Sequence, residues 1–290
     1  MPDSPVQSIC YLASSDVPSD AANSIHVVHM CQAMSDLGNN VTLIAPTLKL
    51  PCSNQIDVLR KKYNVKADYA LHHIWIAGIP GGGWLYRQQL SRVIRRAKPD
   101  LVYGRNLEDC LFAAQSGYET VLEVHTPVWM MEGGSEPLLE ALMAESTFKS
   151  LVVISKALAE EYKEKYINLN NKIIIAPDAA PAWPQLKGEK KPSSKFRVVY
   201  VGGLYPGKGI EILIDLAPKC PWAEFIVVGG AESEIRNWQT RLSQATKNIF
   251  FAGRQPHSNV YKYLISADVL VAPYQRHVQG YGDAMDLAPW

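Results

Sequence analysis

The sequence predicts an α/β protein built from two Rossmann-like domains, the second of them incomplete. Three observations carry that reading. Short apolar runs rich in β-branched residues recur along the chain, which suits strands covered on both faces in a parallel sheet. Helical periodicity fills the intervals between them, so strand and helix alternate as in βαβ units. A polar, proline-rich break interrupts the alternation once, at residues 179–195 (AAPAWPQLKGEKKPSSK).

Taken in order, residues 8–13 (SICYLA) and 41–45 (VTLIA) read as the first two strands. Val27, Met30, Met34 and Leu37 form a helical stripe between them. Strands follow at 71–77 and 100–104, separated by a helix carrying Leu90, Val93, Ile94 and Ala97. Further strands are expected at 120–124 (TVLEV), 151–154 (LVVI) and 172–176 (KIIIA). Beyond the break, strands read at 196–201, 224–228, 249–252 and 269–272. Their helices are marked by Ile210, Leu213, Ile214 and Ala217, then by Ile235, Trp238, Leu242 and Ala245, then by Val260, Tyr263, Leu264 and Ala267. The division is therefore a first domain at 1–180, a linker at 181–195 and a second domain at 196–290. Seven strands precede the linker and four follow it, and a sheet stopping there has an edge and a covering helix unaccounted for. The expectation is a fragment of a longer protein.

Length and composition agree with two domains. The chain has 290 residues, against roughly 150 per domain. Apolar residues make up 47% and charged residues 20%, enough for a real core. With 29 basic and 28 acidic residues the net charge is +1, which gives no sign of a basic groove for nucleic acid. Cys10, Cys31, Cys52, Cys110 and Cys220 are dispersed and never form a C-x-x-C pair, as expected of reduced thiols without a structural zinc. The start has no basic and apolar leader pattern, and no run approaches ~18 apolar residues. A cytoplasmic protein is expected, in contact with a membrane at most peripherally.

The most informative stretch is residues 196–217 (FRVVYVGGLYPGKGIEILIDLA): a strand, a glycine-rich loop and an amphipathic helix. Gly202, Gly203, Gly207 and Gly209 permit close backbone approach to a ligand, and Lys208 adds a cation where a helix would present free N–H donors. Such a loop suits a phosphate or diphosphate. Gly202 and Gly207-Lys208 have P-loop spacing, but Gly209 stands where that motif needs a hydroxyl for magnesium. A plain strand-to-helix turn with an exposed lysine is the other local reading.

With that loop placed, the chain resembles the retaining GT-B glycosyltransferases of family 4 (group 1). SIHVVHMCQAMSDLGNNVTLIAP is similar to the family's opening helix and second strand, PDLVYGRN and TVLEVHTP to its fourth and fifth strands. SLVVISKALAEEY and IIIAPDAAP resemble the segment before the interdomain crossing. VVYVGGLYPGKGIEILI is similar to the donor phosphate loop, and IFFAGRQPHSNVYKYLISADVLVAPY to the strands that hold the nucleotide. The resemblance implies transfer of a sugar, with retained configuration, from a UDP- or GDP-type nucleotide sugar to a hydroxyl of a glycan, lipid or small molecule. It implies no cofactor and no metal.

Residue by residue, the resemblance implies that Lys208 neutralises the leaving diphosphate, with Gly202, Gly203 and Gly209 around the donor, and that His125 is the active-site histidine beside the sugar. Glu123, two residues earlier on the same strand face, is placed to orient the His125 ring. Asn23, Ser24, Arg105 and Asn106 fall on the acceptor-side or cleft loops. The chain departs from the pattern in three places. Ala21-Ala22-Asn23-Ser24 stands where a Gly-Gly loop is common. Gly203 stands where an arginine is usual, leaving Arg254 as the candidate second cation. The family's glutamate pair, eight positions apart, is not found before Trp290, so the chain as given is expected to be an inactive fragment.

Other signals are weaker. Arg87, Arg92, Arg95, Arg96 and Lys98 form a basic helix face that suits either solvent or an anionic lipid surface. Gly81-Gly82-Gly83-Trp84 reads as a flexible loop, a turn or part of an acceptor lid, and His72 and His73 as packing or surface residues. His26 and His29 have a chelating spacing but no third ligand nearby in sequence. No Ser-His-Asp order or nucleophile elbow supports a hydrolase. Two alternatives stay open: a two-lobed α/β protein that binds a nucleotide or sugar without turnover, and a sugar-nucleotide epimerase.

Overall fold

Residues that send alternate side chains into two apolar layers build the sheet of the first unit. Cys10 and Leu12 enter the layer on one face, Ile9 and Tyr11 the layer on the other, and all four are buried. That two-sided burial follows from the period-two geometry of a strand in a covered parallel sheet. The computed structural model describes residues 7–19, 21–47, 55–75, 82–130, 135–179, 195–242 and 246–275. The chain divides into two units, Met1–Pro181 and Ala182–Trp290.

The first unit runs β1 (Ser8–Leu12), α1 (Ala22–Asp36), β2 (Asn40–Thr47), α2 (Gln55–Tyr63), β3 (Ala70–Trp75), α3 (Gly82–Ala97) and β4 (Leu101–Gly104). It continues with α4 (Leu107–Gln115), β5 (Thr120–Val124), α5 (Glu136–Ala144), β6 (Phe148–Val153), α6 (Lys156–Lys165) and β7 (Ile173–Ile175). The seven strands are parallel, in the order β3-β2-β1-β4-β5-β6-β7. The order reverses between β1 and β4, and the carboxyl ends of those strands open the crevice where a doubly wound sheet takes its ligand.

Helix α1 covers one face through Val27, Val28 and Cys31. Val121 shares that layer, so Glu123 and His125, two and four residues on, are directed toward the α1 side. Helix α4 begins where Asn106 caps it, its side chain accepting from the Asp109 amide at 3.2 Å. Ser155 caps α6 in the same way, accepting from Leu158. Each large apolar side chain fully buried in these layers contributes about 1.5–3 kcal/mol, so packing rather than propensity holds the short helices in place.

The second unit runs β8 (Phe196–Val201), α7 (Ile210–Leu216), β9 (Ala223–Val228), α8 (Glu232–Gln239), β10 (Ile249–Gly253), α9 (His257–Ser266) and β11 (Val269–Leu270). Its four parallel strands lie in the order β10-β9-β8-β11, with the reversal between β8 and β11. Tyr200, Ile210, Leu213, Phe225, Val227 and Trp238 form its core. Trp238 also donates from Nε1 to the Leu204 carbonyl at 2.7 Å, which fixes the glycine-rich loop to α8.

All eleven expected strands form. Four helices, α2, α4, α5 and α6, lie where no periodic stripe was read. The expected loop at Gly82-Gly83-Trp84 is instead the first turn of α3, and Gly81 lies outside the described residues. Helix α8 ends at Gln239, short of Leu242, and Ala245 is outside the described residues. So are Cys52, residues 181–194 of the expected linker and residues 276–290. Among the described residues no helix is long and apolar enough to cross a membrane.

Candidate functional site

In the first unit, β1, the carboxyl ends of β4 and β5 and the start of α1 bring five polar side chains together around one buried carboxylate. Glu123, on β5, is 3% exposed. Its Oε1 lies 2.6 Å from His125 Nε2, 2.8 Å from His26 Nε2 and 3.5 Å from Arg105 Nε. Its Oε2 accepts from Tyr103 at 2.7 Å and from Tyr11 at 3.4 Å. The two imidazoles meet edge to face, with ring centroids 4.9 Å apart. Asp178, half exposed after β7, faces the other nitrogen of each ring, 3.4 Å from His26 Nδ1 and 3.9 Å from His125 Nδ1.

The electrostatics follow from that shell. Burial alone raises the Glu123 carboxyl, but contacts from His125, His26 and Tyr103 outweigh it and hold the group well below the usual carboxylate range. Burial, with Glu123 alongside, pushes the Tyr103 hydroxyl up, so it stays a donor. Glu123 is therefore a fixed anion that orients both rings. The nitrogen of His125 turned away from Glu123 is Nδ1, and Asp178 is beyond hydrogen-bond distance of it.

The Asn23 side chain connects this cluster to the next loop. It accepts from Arg105 Nη1 at 2.5 Å and donates to Ser14 Oγ at 2.7 Å. Ser24 is placed differently from the expectation. It is fully buried, bonded to the Tyr63 hydroxyl at 2.7 Å and to the Ser19 amide, so it anchors α1 to α2 rather than lining a cleft. Asn106 caps α4 and borders a pocket of about 540 Å³ with Ser14, Trp84, Tyr86, Glu108 and Asp109.

His26 corrects the sequence expectation. It joins Glu123 and His125, with donor atoms within 4.8 Å of one another, and not His29. That set has the spacing of metal ligands, yet the Arg105 guanidinium already lies against the same carboxylate oxygen and supplies opposing positive charge. His26 and Asp178 escaped the sequence reading because only folding brings α1 and the segment after β7 to β5. The Glu123/His125 spacing was the single local signal. His73 donates or accepts at the Val17 carbonyl, in keeping with a packing role. The α3 side chains Arg87, Arg92, Arg95 and Arg96 are exposed.

In the second unit, the loop 202–209 follows β8 at the reversal of the strand order. Lys208 is half-buried, and its Nζ lies 4.2 Å from the Tyr274 ring centroid and 5.1 Å from that of Tyr205. Burial lowers its pKa. Gly209 has φ +80°, and a Cβ there would come within 2.0 Å of the Pro273 carbonyl oxygen. The Gln275 amide donates to the Gly207 carbonyl at 2.8 Å, so the segment after β11 clasps the loop. The Gly202 N–H donates to the Val228 carbonyl at 3.0 Å, which ties the start of the loop to the end of β9. A Cβ on Gly203 would strike the Tyr205 ring at 2.4 Å. Helix α7 spans only seven residues, so Lys208 is the main positive charge of this loop. Arg254 is exposed at the end of β10, one strand removed from β8.

Two parallel Rossmann-like sheets in one chain, each with a polar loop cluster at its strand ends, define the GT-B glycosyltransferase fold. The family model for Glycosyltransferase Family 4 matches residues 24–179, more than half of the chain, and that for Glycosyl transferases group 1 matches residues 195–285. The chain belongs to glycosyltransferase family 4. Among solved structures it is similar to Anabaena Alr3699/HepE in complex with UDP and glucose, at 14% identity and TM-score 0.63 over 91% of this chain and 73% of that one. It is similar to WaaG, a glycosyltransferase involved in lipopolysaccharide biosynthesis, at 12% identity and TM-score 0.63 over 94% and 76%. Sucrose-phosphate synthase from Thermosynechococcus elongatus matches at 15% identity and TM-score 0.62 over 92% and 75%. At these identities the likeness is one of fold. A search of the curated proteins found no match.

Proposed function

We propose that the protein is a retaining glycosyltransferase that moves a sugar from a UDP- or GDP-type nucleotide sugar to a hydroxyl acceptor. The observation that carries the reading is Lys208, a half-buried cation held over Tyr274 in a clasped loop at the end of β8. When the bond from sugar to diphosphate breaks, negative charge grows on the leaving oxygen, and a fixed cation beside it lowers the barrier. The UDP complexes named for HepE are in keeping with a nucleotide in this fold. His125, its ring held by Glu123, is the group that hydrogen-bonds the transferring sugar through Nδ1. Gly203, Gly209 and Arg254 are the remaining donor-side candidates, and Asn23, Arg105 and Asn106 belong to the acceptor side.

The reaction needs no metal in this reading, because Lys208 supplies the charge at the diphosphate and Arg105 with two imidazoles already surrounds Glu123. The test is donor turnover by the full-length gene product, followed by ¹H NMR of the product anomeric proton, with UDP-glucose and GDP-mannose. Turnover with the donor's configuration kept, undiminished by EDTA and reduced about 100-fold in His125→Ala, is the expected result. Inverted product, or turnover unaffected by His125→Ala, contradicts it.

A further inference from the structure

We propose that His26, His125 and Asp178 form a zinc site, with Nδ1 of each imidazole and the Asp178 carboxylate as ligands, and that a zinc ion held there inhibits transfer rather than serving it. The site stands on the geometry of the cluster alone. The inhibition rests on the transferase reading, because the ion takes the His125 nitrogen assigned there to the sugar. On the Nε2 side of the rings the spacing with Glu123 is also metal-like, but Arg105 faces Glu123 Oε1 at 3.5 Å. The Nδ1 side offers a second carboxylate instead. Among the described residues no lysine or arginine pairs with Asp178, whose charged contacts are the two rings themselves.

Three features make the Nδ1 side a ligand set. Glu123 is buried, and its Oε1 lies 2.8 Å from His26 Nε2 and 2.6 Å from His125 Nε2. That anion keeps the ring proton on Nε2, so a neutral ring carries its free lone pair on Nδ1. Metal-binding histidines are oriented in this way, the far nitrogen donating to a carboxylate. The distances are also suitable: Asp178 Oδ1 is 3.4 Å from His26 Nδ1, and Oδ2 is 3.9 Å from His125 Nδ1. Nitrogen and oxygen ligands about 2.1 Å from a tetrahedral ion lie about 3.4 Å from each other. The first pair is in place, and the half-exposed Asp178 has room to close on the second. Finally, two lone pairs and a carboxylate converge there, a gathering of like charge that a divalent cation relieves for both rings at once. Two imidazoles with one carboxylate suit Zn²⁺, whereas Mg²⁺ favours an octahedron of oxygens. Three protein ligands leave one tetrahedral position open.

Isothermal titration of ZnCl2 into the metal-free full chain tests the site, with MgCl2 as the control. One zinc ion per chain is expected, bound at least about tenfold more weakly by each of His26→Ala and Asp178→Ala, and no binding of magnesium. Asp178 is half exposed after β7, so its variant folds. Co²⁺ in place of zinc is expected to show the visible bands of a four-coordinate ion, lost in both variants. No zinc binding, equal affinity in wild type and both variants, or a six-coordinate Co²⁺ spectrum overturns the proposal. With the full-length gene product, zinc is expected to suppress donor turnover and EDTA to restore it, and turnover undiminished with the site filled overturns the inhibition. Zinc bound as expected by a protein that shows no turnover before zinc is added supports the site and contradicts the transferase reading alone.

Discussion

Glu123 and Asp109 are both buried carboxylates in the first unit, and their surroundings drive them in opposite directions. Around Glu123, two imidazoles, a tyrosine hydroxyl and a guanidinium favour the anion. Its folded pKa is depressed, so its stabilising contribution is present above the ordinary carboxylate value of 4.5 and is lost as pH falls below it. Glu123→Gln leaves the cations facing a neutral amide, and a loss of about 3–5 kcal/mol in urea denaturation at pH 7 is expected. Asp109 behaves in reverse. Burial raises its pKa from 3.8 to about 6 on folding, so the folded state binds the proton more tightly and stability declines as pH climbs between those values. The decline is at most about 3 kcal/mol. Melting temperatures of wild type and Asp109→Asn, compared from pH 4 to pH 7.5, should separate progressively in favour of the variant. A constant difference across that range would contradict the assignment.

At the scale of elements, the glycine-rich loop shows where sequence reading succeeds and where it stops. Its strand–loop–helix order and Lys208 were legible from residues 196–217. Which glycines serve a ligand was not, because that depends on segments far away in the chain. Gly209 is required by its positive φ and by the Pro273 carbonyl beneath it, and the Gly202 amide is taken up by Val228. Gly209→Ala is expected to destabilise the second unit by about 2 kcal/mol or more, read as a lower melting temperature, since neither the backbone nor Pro273 can give way cheaply. The helices tell the same story. Helix α4 buries Cys110, Ala113 and Ala114, small side chains that make a weak apolar stripe, and so left no clear periodic signal. The strands, with their runs of Val, Ile and Leu, were unmistakable.

At the scale of the whole molecule, strand order could not be read from periodicity, yet it decides where chemistry gathers. The reversals at β1/β4 and β8/β11 put the His125 cluster, the Asp109 pocket and the Lys208 loop at strand carboxyl ends, as the geometry of doubly wound sheets requires. His125 was visible because it follows a strong strand directly, and Lys208 because it sits in the glycine-rich loop after one. His26 and Asp178 were not, since each becomes a site residue only once separate elements meet. The central claim is that Lys208 holds the diphosphate of a sugar donor. Isothermal titration of UDP-glucose and GDP-mannose into wild type and Lys208→Ala tests it most directly. The account predicts binding of at least one donor that weakens about 100-fold or more in the variant, equivalent to roughly 3 kcal/mol. Equal affinity in the two proteins, or no binding by either, would contradict it.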